Sequence, residues 1–471
     1  MSNIGRNIVS LGLSRITSGL LLFFVYAKLA SYLGPAGFGK FSLILAYYTI
    51  FLLFVDFGIS RYVIKKISED KSQTPLYFGN FFIAQFFLAL IVFSLFIFIP
   101  RWFDYDAEVA RAMFYIGIGL LFGALSIPFA AIIQAWQKIH LLAAVYFFDS
   151  LIRAVWLILA ILWSKDLVFI FFVYSLTGVF DIVIYAILTR KIARPRFQFD
   201  QGLTKKLFMY GIPFAFVSGF EILIAKVDIV IQKFFLPYYE VGLYSAAYRF
   251  LDFLTFIPAV VAISLFPVLS EIPDLKTPET KGIIDRFNRY MLLLAIPLGT
   301  GATMFADKII FTLFGPEYTG SILIFQILIW STVITFVYAV SNVIMQVRQT
   351  KRAVLILAVA AAANAVSNVI LVPRFGIIAS AWLTVATYLL VAALYIFYSN
   401  NTARHSYHPY VFWPVIASAL MAAGLWAIRD ANIFLITLIA IAIYFGVLIA
   451  GGYVKREDWL FIKSVVTKPS P

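Results

Sequence analysis

Residues 33–42 read LGPAGFGKFS, and residues 236–245, at an offset of 203 positions, read LPYYEVGLYS. Four aligned positions agree in residue or residue type: Leu33 with Leu236, Gly39 with Gly242, Phe41 with Tyr244 and Ser42 with Ser245. Each stretch separates one long apolar run from the next. A segment that recurs between corresponding runs predicts a chain built by internal duplication.

The first stretch also fits most of a phosphate-binding loop, G-x-x-x-x-G-K-[ST]. Gly34, Gly39 and Lys40 occupy their positions, but the serine comes one place late, at Ser42. Such a loop needs a buried strand before it and a soluble helix after it, whereas this stretch lies between two apolar runs of membrane length. We therefore exclude a nucleotide site. The glycines and Pro35 are predicted to form a tight external turn that recurs in the second copy.

The composition is that of a membrane protein. Apolar residues make up 63% of the 471 positions and charged residues 13%, with a mean hydropathy of +0.95, whereas soluble proteins have roughly 45–50% and 25%. The lack of cysteine excludes disulfides and thiolate metal sites, and we expect no metal site at the three histidines. The net charge of +14 lies in short basic clusters, which is typical of cytoplasmic loops and not of a nucleic-acid-binding surface.

Apolar runs define the membrane crossings, which need about 20 residues each. The sequence contains fourteen: 8–33, 39–64, 78–99, 110–136, 141–163, 167–189, 206–236, 241–269, 287–314, 320–346, 353–372, 376–398, 410–428 and 432–454. Lysine and arginine number 24 in the connections on the side of the N-terminus and 8 on the other side, so both termini are predicted to be cytoplasmic. The prediction is an all-α, multi-pass protein of the cell membrane.

The repeat organises these spans. A second pair of similar stretches, QAWQK at 134–138 and QVRQT at 346–350, follows the fourth span of each copy. Six spans per copy is an even number, so the copies share one orientation and are related by a pseudo-two-fold axis along the membrane normal. We predict an N-lobe over 1–195, a C-lobe over 196–405, and an additional helix pair with a cytoplasmic tail over 406–471.

Five short stretches resemble one family, the polysaccharide flippases of the multidrug/oligosaccharidyl-lipid/polysaccharide exporter superfamily. They are LGPAGFGKFSL (33–43), KVDIVIQKFFLP (226–237), EVGLYSAAYRF (240–250), LFGPEY (313–318) and VPRFGIIASAW (372–382). The resemblance covers nearly the whole chain. It implies two lobes around a central cavity that opens alternately to each side, with no cofactor and no covalent chemistry.

The same resemblance implies the substrate. Members of O-antigen, teichoic-acid and related types move polyprenyl-linked oligosaccharide, carrying a phosphate or pyrophosphate, across the membrane for surface polysaccharide synthesis. The partners it implies are this lipid-linked sugar, membrane lipid, and polysaccharide polymerase or glycosyltransferase machinery. Many members have twelve spans and the peptidoglycan-precursor flippases have fourteen, so the count of fourteen does not decide the subgroup to which this chain belongs.

Charged residues within the spans are the candidate site, because a charge at bilayer depth costs about 2.5–3.5 kcal/mol and usually faces a cavity or a partner. For the anionic head group we choose four basic residues: Arg15, Arg61, Lys226 and Arg249. For proton or sodium coupling we choose four acids: Asp56, Asp181, Asp228 and Asp252. Drive by membrane potential alone is the alternative. Asp149 and Arg153, four apart on one helix, are expected to form a local ion pair, and Arg249 and Asp252 are spaced to do the same.

Two other functions are weighed against the flippase. A cation-coupled multidrug antiporter of the same superfamily needs an acidic cavity, and the basic residues at 15, 226 and 249 count against it. A membrane polymerase or ligase needs a substantial outer loop, and the longest outer connection has about ten residues, 100–109.

Overall fold

The computed structural model describes residues 3–163, 165–197, 199–428 and 430–453. The side chains of 3–13, 15, 213–214, 217–218, 263–264 and 267 lie outside the description, as does the predicted tail from 454 onward. Over the described ranges the chain forms fifteen α-helices and two short 3-10 turns, with no strand. The α-helices are α1 (Asn3–Asp56), α2 (Ile59–Glu69), α3 (Thr74–Trp102), α4 (Ala107–Ala135), α5 (Ile139–Leu162), α6 (Leu167–Thr189), α7 (Gln201–Phe235), α8 (Tyr238–Leu254), α9 (Phe256–Glu271), α10 (Pro278–Met304), α11 (Ala306–Leu313), α12 (Ser321–Arg348), α13 (Thr350–Thr402), α14 (His408–Trp426) and α15 (Ile433–Ala450).

Among the described residues, ten helices are long and apolar enough to cross a membrane, or eleven if the bent pair α10–α11 is one span. Two of them are long enough for two crossings each, since the apolar part of α1 has 41 residues and α13 has 53. Each bends at one glycine in the left-handed region, Gly34 (φ 65°) in α1 and Gly376 (φ 64°) in α13. The all-helical fold is confirmed, while the count of fourteen crossings and the repeat stay predictions.

The span predicted at 39–64 is interrupted. Phe57 and Gly58 both take positive φ, 48° and 71°, and end α1. The Asp56 carboxylate then accepts hydrogen bonds from the Ser60 backbone N–H at 3.0 Å and from its hydroxyl at 2.7 Å. These bonds satisfy a free donor at the start of α2, as a helix cap does. The prediction of one continuous helix here is wrong, because a short amphipathic helix begins after this break.

Two further predicted spans contain breaks. The run 241–269 is divided at Thr255 into α8 and α9. The run 287–314 is divided at Phe305 into α10 and α11, whose axes differ by 78°. The apolar pattern of the sequence does not reveal such breaks, because the residues on both sides of each break are apolar.

The predicted glycine turn also needs correction. Only Gly34 forms the bend, whereas Gly39 and Gly242 lie inside α1 and α8. A Cβ on Gly39 would lie 1.9 Å from the Tyr238 carbonyl oxygen, and one on Gly242 would lie 1.8 Å from that of Pro35. The two aligned glycines therefore allow the backbones of α1 and α8 to touch, as small residues do between membrane helices.

Contacts divide the described chain into two compact units, one from Asn7 to Gly242 and the other beginning at Leu243. The predicted lobe boundaries after 195 and 405 stay predictions. In the first unit, α4 packs against α3, α5 and α6, and α2 packs against α3, α4 and α7. The α4–α6 contact is close because a Cβ on Gly178 would lie 2.5 Å from the Gly119 carbonyl oxygen. This arrangement places α5 and α6 so that their polar residues share one interior site.

A charged cluster joins α1 to the start of α4. Lys40 Nζ lies 3.1 Å from Asp106 Oδ2 and 2.6 Å from Glu108 Oε2, and 5.4 Å from the centre of the Tyr238 ring. Asp106 also caps α4 by accepting from the Val109 N–H at 2.9 Å. The lysine that resembled a phosphate-binding residue is therefore an ion-pair partner of two carboxylates.

In the second unit, α12 packs against α9, α10 and α13, and α14 packs against α10 and α15. The α13–α14 connection is held by a buried polar cluster. His405 Nδ1 lies 2.7 Å from the Ala403 carbonyl oxygen, and its Nε2 faces the hydroxyls of Ser341 (3.3 Å) and Ser399 (3.4 Å). Burial lowers the pKa of His405, which the Ala403 carbonyl and the charge of Asp285 partly offset.

Candidate functional site

The centre of the site is an ion pair on α5. Arg153 Nη2 lies 2.8 Å from Asp149 Oδ2 and 3.1 Å from Oδ1, and both side chains are less than one-fifth exposed. The prediction of a local pair is confirmed. A single nitrogen, Nη2, donates to both carboxylate oxygens, and such a charge-assisted hydrogen bond is stronger than a neutral one.

Aromatic side chains enclose the guanidinium group. Arg153 Nη1 donates to the Tyr174 hydroxyl on α6 at 2.6 Å, and the guanidinium lies 4.4 Å from the centre of that ring. The Tyr26 hydroxyl on α1 is 3.4 Å from the Tyr174 hydroxyl, and the Tyr48 ring meets the Tyr174 ring edge-on at 6.3 Å. These contacts fix the arginine by hydrogen bonding and by cation–π attraction, so that α1, α5 and α6 meet at one charged group.

Asp181 on α6 completes the site. It interacts electrostatically with both Asp149 and Arg153. Its Oδ1 is buried and has no hydrogen-bond partner among the described residues. Together with the α5 ion pair it lines a cavity of about 370 Å³. The other polar groups that line this cavity are Ser60, Ser126, Gln134, Tyr146 and Tyr185.

The charges of this group do not balance. Two carboxylates face one arginine, so the fully ionised site holds one surplus negative charge. A buried surplus charge is costly unless a proton or a cation neutralises it, and the cavity beside Asp181 is lined by hydroxyl, amide and carboxylate groups that suit either one. The geometry therefore provides a site that can take up one positive charge. Among the described residues, no group of three or more His, Asp or Glu side chains is arranged to hold a metal ion.

The other predicted acids lie elsewhere. Asp56 accepts hydrogen bonds from Ser60 at the start of α2, and Arg61 interacts with it electrostatically. Asp228 on α7 is fully buried, and its Oδ1 accepts from the Ile229 N–H at 2.8 Å. Asp252 lies 3.7 Å from Arg249 in the second unit. Their roles in ion coupling stay predictions, but only Asp181 presents a buried carboxylate oxygen without a partner, within the part of the chain that is described.

The described members of the predicted basic set lie on three helices, α2, α7 and α8. Arg61 is exposed at the start of α2 and interacts with Asp56 and with Glu221 of α7. Lys226 is half-buried on α7, and Arg249 is half-buried on α8 beside Asp252. The side chain of Arg15 lies outside the described residues. Their assignment to a substrate head group stays a prediction.

Sequence reasoning did not relate the tyrosines to Arg153. Tyr26 and Tyr48 lie on α1, on either side of its bend at Gly34, whereas Tyr174 lies on α6, and nothing in their spacing relates them. The signal that could have found them is their occurrence deep in apolar runs, where a phenol needs a hydrogen-bond partner. Sequence reasoning also treated Asp181 as a separate residue, whereas the structure joins it to the α5 pair.

The fold and the site define a class: a multi-pass helical membrane protein with charged groups gathered inside its spans and no strand among its described residues. The pattern of the polysaccharide biosynthesis protein family matches residues 4–273, which is more than half of the chain. The chain therefore belongs to the polysaccharide biosynthesis protein family.

Two curated relatives match over nearly their whole length. One, an uncharacterized membrane protein of Methanocaldococcus jannaschii, is 25% identical over 97% of this chain and 96% of its own. The other, of Haloferax volcanii, is named a probable low-salt glycan biosynthesis flippase, Agl15, and is 23% identical over 95% of this chain and 94% of its own.

Solved structures share the fold. The lipid II flippase MurJ in an inward closed conformation has a TM-score of 0.76 at 15% identity, covering 93% of this chain and 98% of that one. An inward-facing multidrug resistance MATE family transporter of the MOP superfamily has a TM-score of 0.62 at 13% identity, covering 84% and 97%. These likenesses confirm the predicted fold class.

Proposed function

We propose that the protein is a flippase that moves polyprenyl-(pyro)phosphate-linked oligosaccharide from the cytoplasmic to the outer leaflet of the cell membrane, with both termini cytoplasmic. The product would serve cell-surface polysaccharide synthesis, in association with polymerase or glycosyltransferase machinery. The observation that carries the proposal is the near-full-length likeness to a protein named as a glycan biosynthesis flippase. The substrate only changes sides, so no bond is broken and no catalytic residue is required.

An apolar groove in the second unit supports a lipid substrate. Its volume is about 590 Å³, and α8, α10, α14 and α15 line it with side chains such as Phe250, Leu294, Ile441 and Phe445. The lining is almost entirely hydrocarbon, with Thr437 and Tyr444 as its hydroxyl-bearing residues. Such a surface can lie against a polyprenyl chain without burying an unpaired polar group.

The surplus carboxylate in the first unit supports coupling to an ion. We propose that Asp181 binds a proton or a sodium ion in the cavity beside the α5 pair. Binding would neutralise the site and change the attraction among α1, α5 and α6, which meet at Arg153. A ligand shifts a conformational equilibrium only through its different affinity for the two states, and the net charge of this cluster provides such a difference. The basic residues Arg15, Arg61, Lys226 and Arg249 are proposed to attract the anionic head group as the two sides open alternately.

The test is transport by the purified protein in proteoliposomes. The probe is a fluorescent polyprenyl-pyrophosphate-linked disaccharide, and its arrival in the opposite leaflet is read by quenching with a membrane-impermeant reductant. We expect transport that exceeds that of protein-free vesicles and is lost in the variants Arg15→Ala and Arg249→Ala. Full transport in both variants would remove the head-group assignment. No transport by the wild-type protein would refute the flippase.

A multidrug antiporter is the second candidate, because the MATE transporter fold is shared and the α5–α6 cluster is acidic. The same vesicles, loaded with a cationic dye under an imposed proton or sodium gradient, test it directly. Gradient-driven dye movement without movement of the lipid-linked sugar would favour the antiporter.

A further inference from the structure

A second polar cavity lies at the edge of the predicted spans, on the side that the charge distribution predicts to be cytoplasmic. It is bounded by α2, the 3-10 turn Lys71–Gln73 and the first turns of α7, and its volume is about 810 Å³. We call it the α2–α7 cavity. It shares no lining residue with the cavity at Asp181, and its size suits a ligand of two or more sugar rings.

One wall is aromatic. The rings of Tyr62 on α2 and Tyr210 on α7 stack with centroids 5.0 Å apart and planes at 17°, and Tyr77 on α3 stands beside Tyr62. Tyr210 keeps 49% of its surface exposed. A tyrosine offers a rigid apolar face and a hydroxyl at its tip. This combination suits a sugar, whose C–H faces pack on rings and whose hydroxyls need hydrogen-bond partners.

The acids of the α2–α7 cavity are already engaged within the protein. Glu69 accepts from Lys66 Nζ at 2.7 Å, and Asp70 accepts from the Ser72 N–H, the Ser72 hydroxyl and Gln73 Nε2 at 2.6–3.0 Å. These hydrogen bonds lower the pKa of both carboxyls. Asp200 caps α7 by accepting from the Leu203 N–H at 2.9 Å. Each of the three carboxylates therefore already accepts a hydrogen bond within the protein.

Two of the cations have no such partner. Lys65 and Lys206 both line the cavity and are exposed, and neither has a hydrogen-bond or ion-pair partner among the described residues, although the charge of Lys65 also acts on Glu69. They extend from α2 and α7, on two walls of the cavity. Two exposed ammonium groups beside an aromatic wall can bind an anionic group, while the tyrosines contact the ring attached to it.

We infer that the α2–α7 cavity binds a phosphorylated saccharide, with Lys65 and Lys206 on the phosphate and Tyr62 and Tyr210 on the sugar. The inference rests on the proposed function, since it assigns the first contact of the glycan to a surface on the predicted cytoplasmic side. The shared chemistry is a sugar joined to a phosphate. Its source is either a lipid-linked saccharide at the membrane surface or a soluble nucleotide sugar.

Binding to the full-length protein in lipid nanodiscs tests the inference. The probes are N-acetylglucosamine linked through pyrophosphate to a short citronellyl chain, UDP-N-acetylglucosamine, and citronellyl phosphate without a sugar. Isothermal titration calorimetry gives Kd for the wild type, for Lys65→Ala/Lys206→Ala, and for Lys205→Ala. Lys205 is the matched control, because it is exposed, adjacent in sequence and not part of the cavity lining.

We expect the double lysine variant to bind the sugar-bearing probes about tenfold or more weakly, since charge-assisted hydrogen bonds to phosphate are lost. Lys205→Ala should bind as the wild type does. Tyr210→Ala should weaken the sugar-bearing probes and leave citronellyl phosphate unchanged, and Tyr210→Phe should restore most of the affinity. Tighter binding of the citronellyl-linked sugar than of the nucleotide sugar identifies the membrane as the source, and the reverse order identifies the soluble pool. Equal Kd values for the wild type and the double lysine variant, or no binding by the wild type, overturn the inference.

Transport in proteoliposomes separates this inference from the proposed function. If the wild type moves lipid-linked sugar and the double lysine variant keeps the wild-type KM, the cavity is not a docking site and the flippase stands. If the wild type moves no lipid-linked sugar, the proposed flippase function is wrong. The Kd values alone then decide whether the α2–α7 cavity binds a phosphorylated saccharide.

Discussion

The contact between α1 and α8 makes a quantitative prediction for Gly39→Ala. A Cβ at this position would lie 1.9 Å from the Tyr238 carbonyl oxygen, and ordinary contact begins at 3.4 Å. The neighbour is backbone, which cannot rotate away as a flexible side chain can. The two helices must therefore separate locally by about 1.5 Å or the helical backbone must distort.

The cost follows from packing energetics. Overpacking a well-packed contact typically costs about 1–3 kcal/mol. A change of 1 kcal/mol moves Tm by about 2–4 °C in a unit of 150–250 residues, so we expect a fall of about 2–12 °C. Gly123→Ala on α4 is the matched control, because its Cβ would meet nothing within 4 Å. Alanine is the better helix former by about 0.8–1 kcal/mol, so the control should keep or slightly raise Tm.

The aligned glycine provides a second test. A Cβ on Gly242 would lie 1.8 Å from the Pro35 carbonyl oxygen, in the same contact of the same two helices. Once Gly39→Ala has separated α1 from α8, Gly242→Ala should add less than its own separate cost, and the coupling should be about 0.5–3 kcal/mol. The measurement is thermal unfolding of all four proteins in nanodiscs, followed by tryptophan fluorescence. Unchanged Tm in Gly39→Ala, or strictly additive losses in the double variant, would refute the close helix contact.

Three other predictions concern charged groups. Asp181→Asn should abolish the dependence of transport on an imposed proton or sodium gradient in proteoliposomes, and an unchanged dependence would remove this residue from coupling. Arg153→Met should destabilise the protein by about 3–5 kcal/mol because it leaves the carboxylates of Asp149 and Asp181 without their cation, and Asp149→Leu in the same chain should recover most of that loss, as thermal unfolding can show. The pKa of His405 is lowered in the folded state, so its contribution to stability is fully present above the unfolded pKa of about 6.5 and is lost as pH falls through the folded pKa. The wild-type Tm should fall between pH 7.5 and 5 and should fall less in His405→Asn, and equal falls would contradict the assignment.

Much of the fold could be predicted from hydropathy alone, because a membrane crossing needs a long apolar run and little else. The run predicted at 167–189 coincides with α6, Leu167–Thr189, and that at 432–454 differs from α15, Ile433–Ala450, by a few residues. The breaks at Phe57, Thr255 and Phe305 were missed. At each break one helix ends and another begins between two apolar segments. The mean hydropathy of the sequence does not change there, so hydropathy cannot reveal the break.

The site was predictable only where its parts are close in the chain. Asp149 and Arg153 are one helical turn apart, and their pairing follows from the helix alone. Asp181 is on the next helix, and its approach to the pair depends on how α5 packs on α6. The α2–α7 cavity requires contact between α2 and α7, which are more than 130 residues apart in the chain. No local pattern contains that contact.

The stretch around Lys40 illustrates why a motif needs its surroundings. Its glycines have two structural roles in a membrane helix. Gly34 bends α1 through a positive φ, and Gly39 allows the backbone of α8 to approach closely. Lys40 is oriented by Asp106 and Glu108, which occupy the ammonium group that a phosphate would need. A phosphate brought to this lysine would have to displace two carboxylates of its own charge sign, and one of them also caps α4. The spacing of a phosphate-binding loop thus arises from three separate structural roles: a bend, a close helix contact and an ion pair. None of these roles provides a hydrogen-bond donor for a nucleotide.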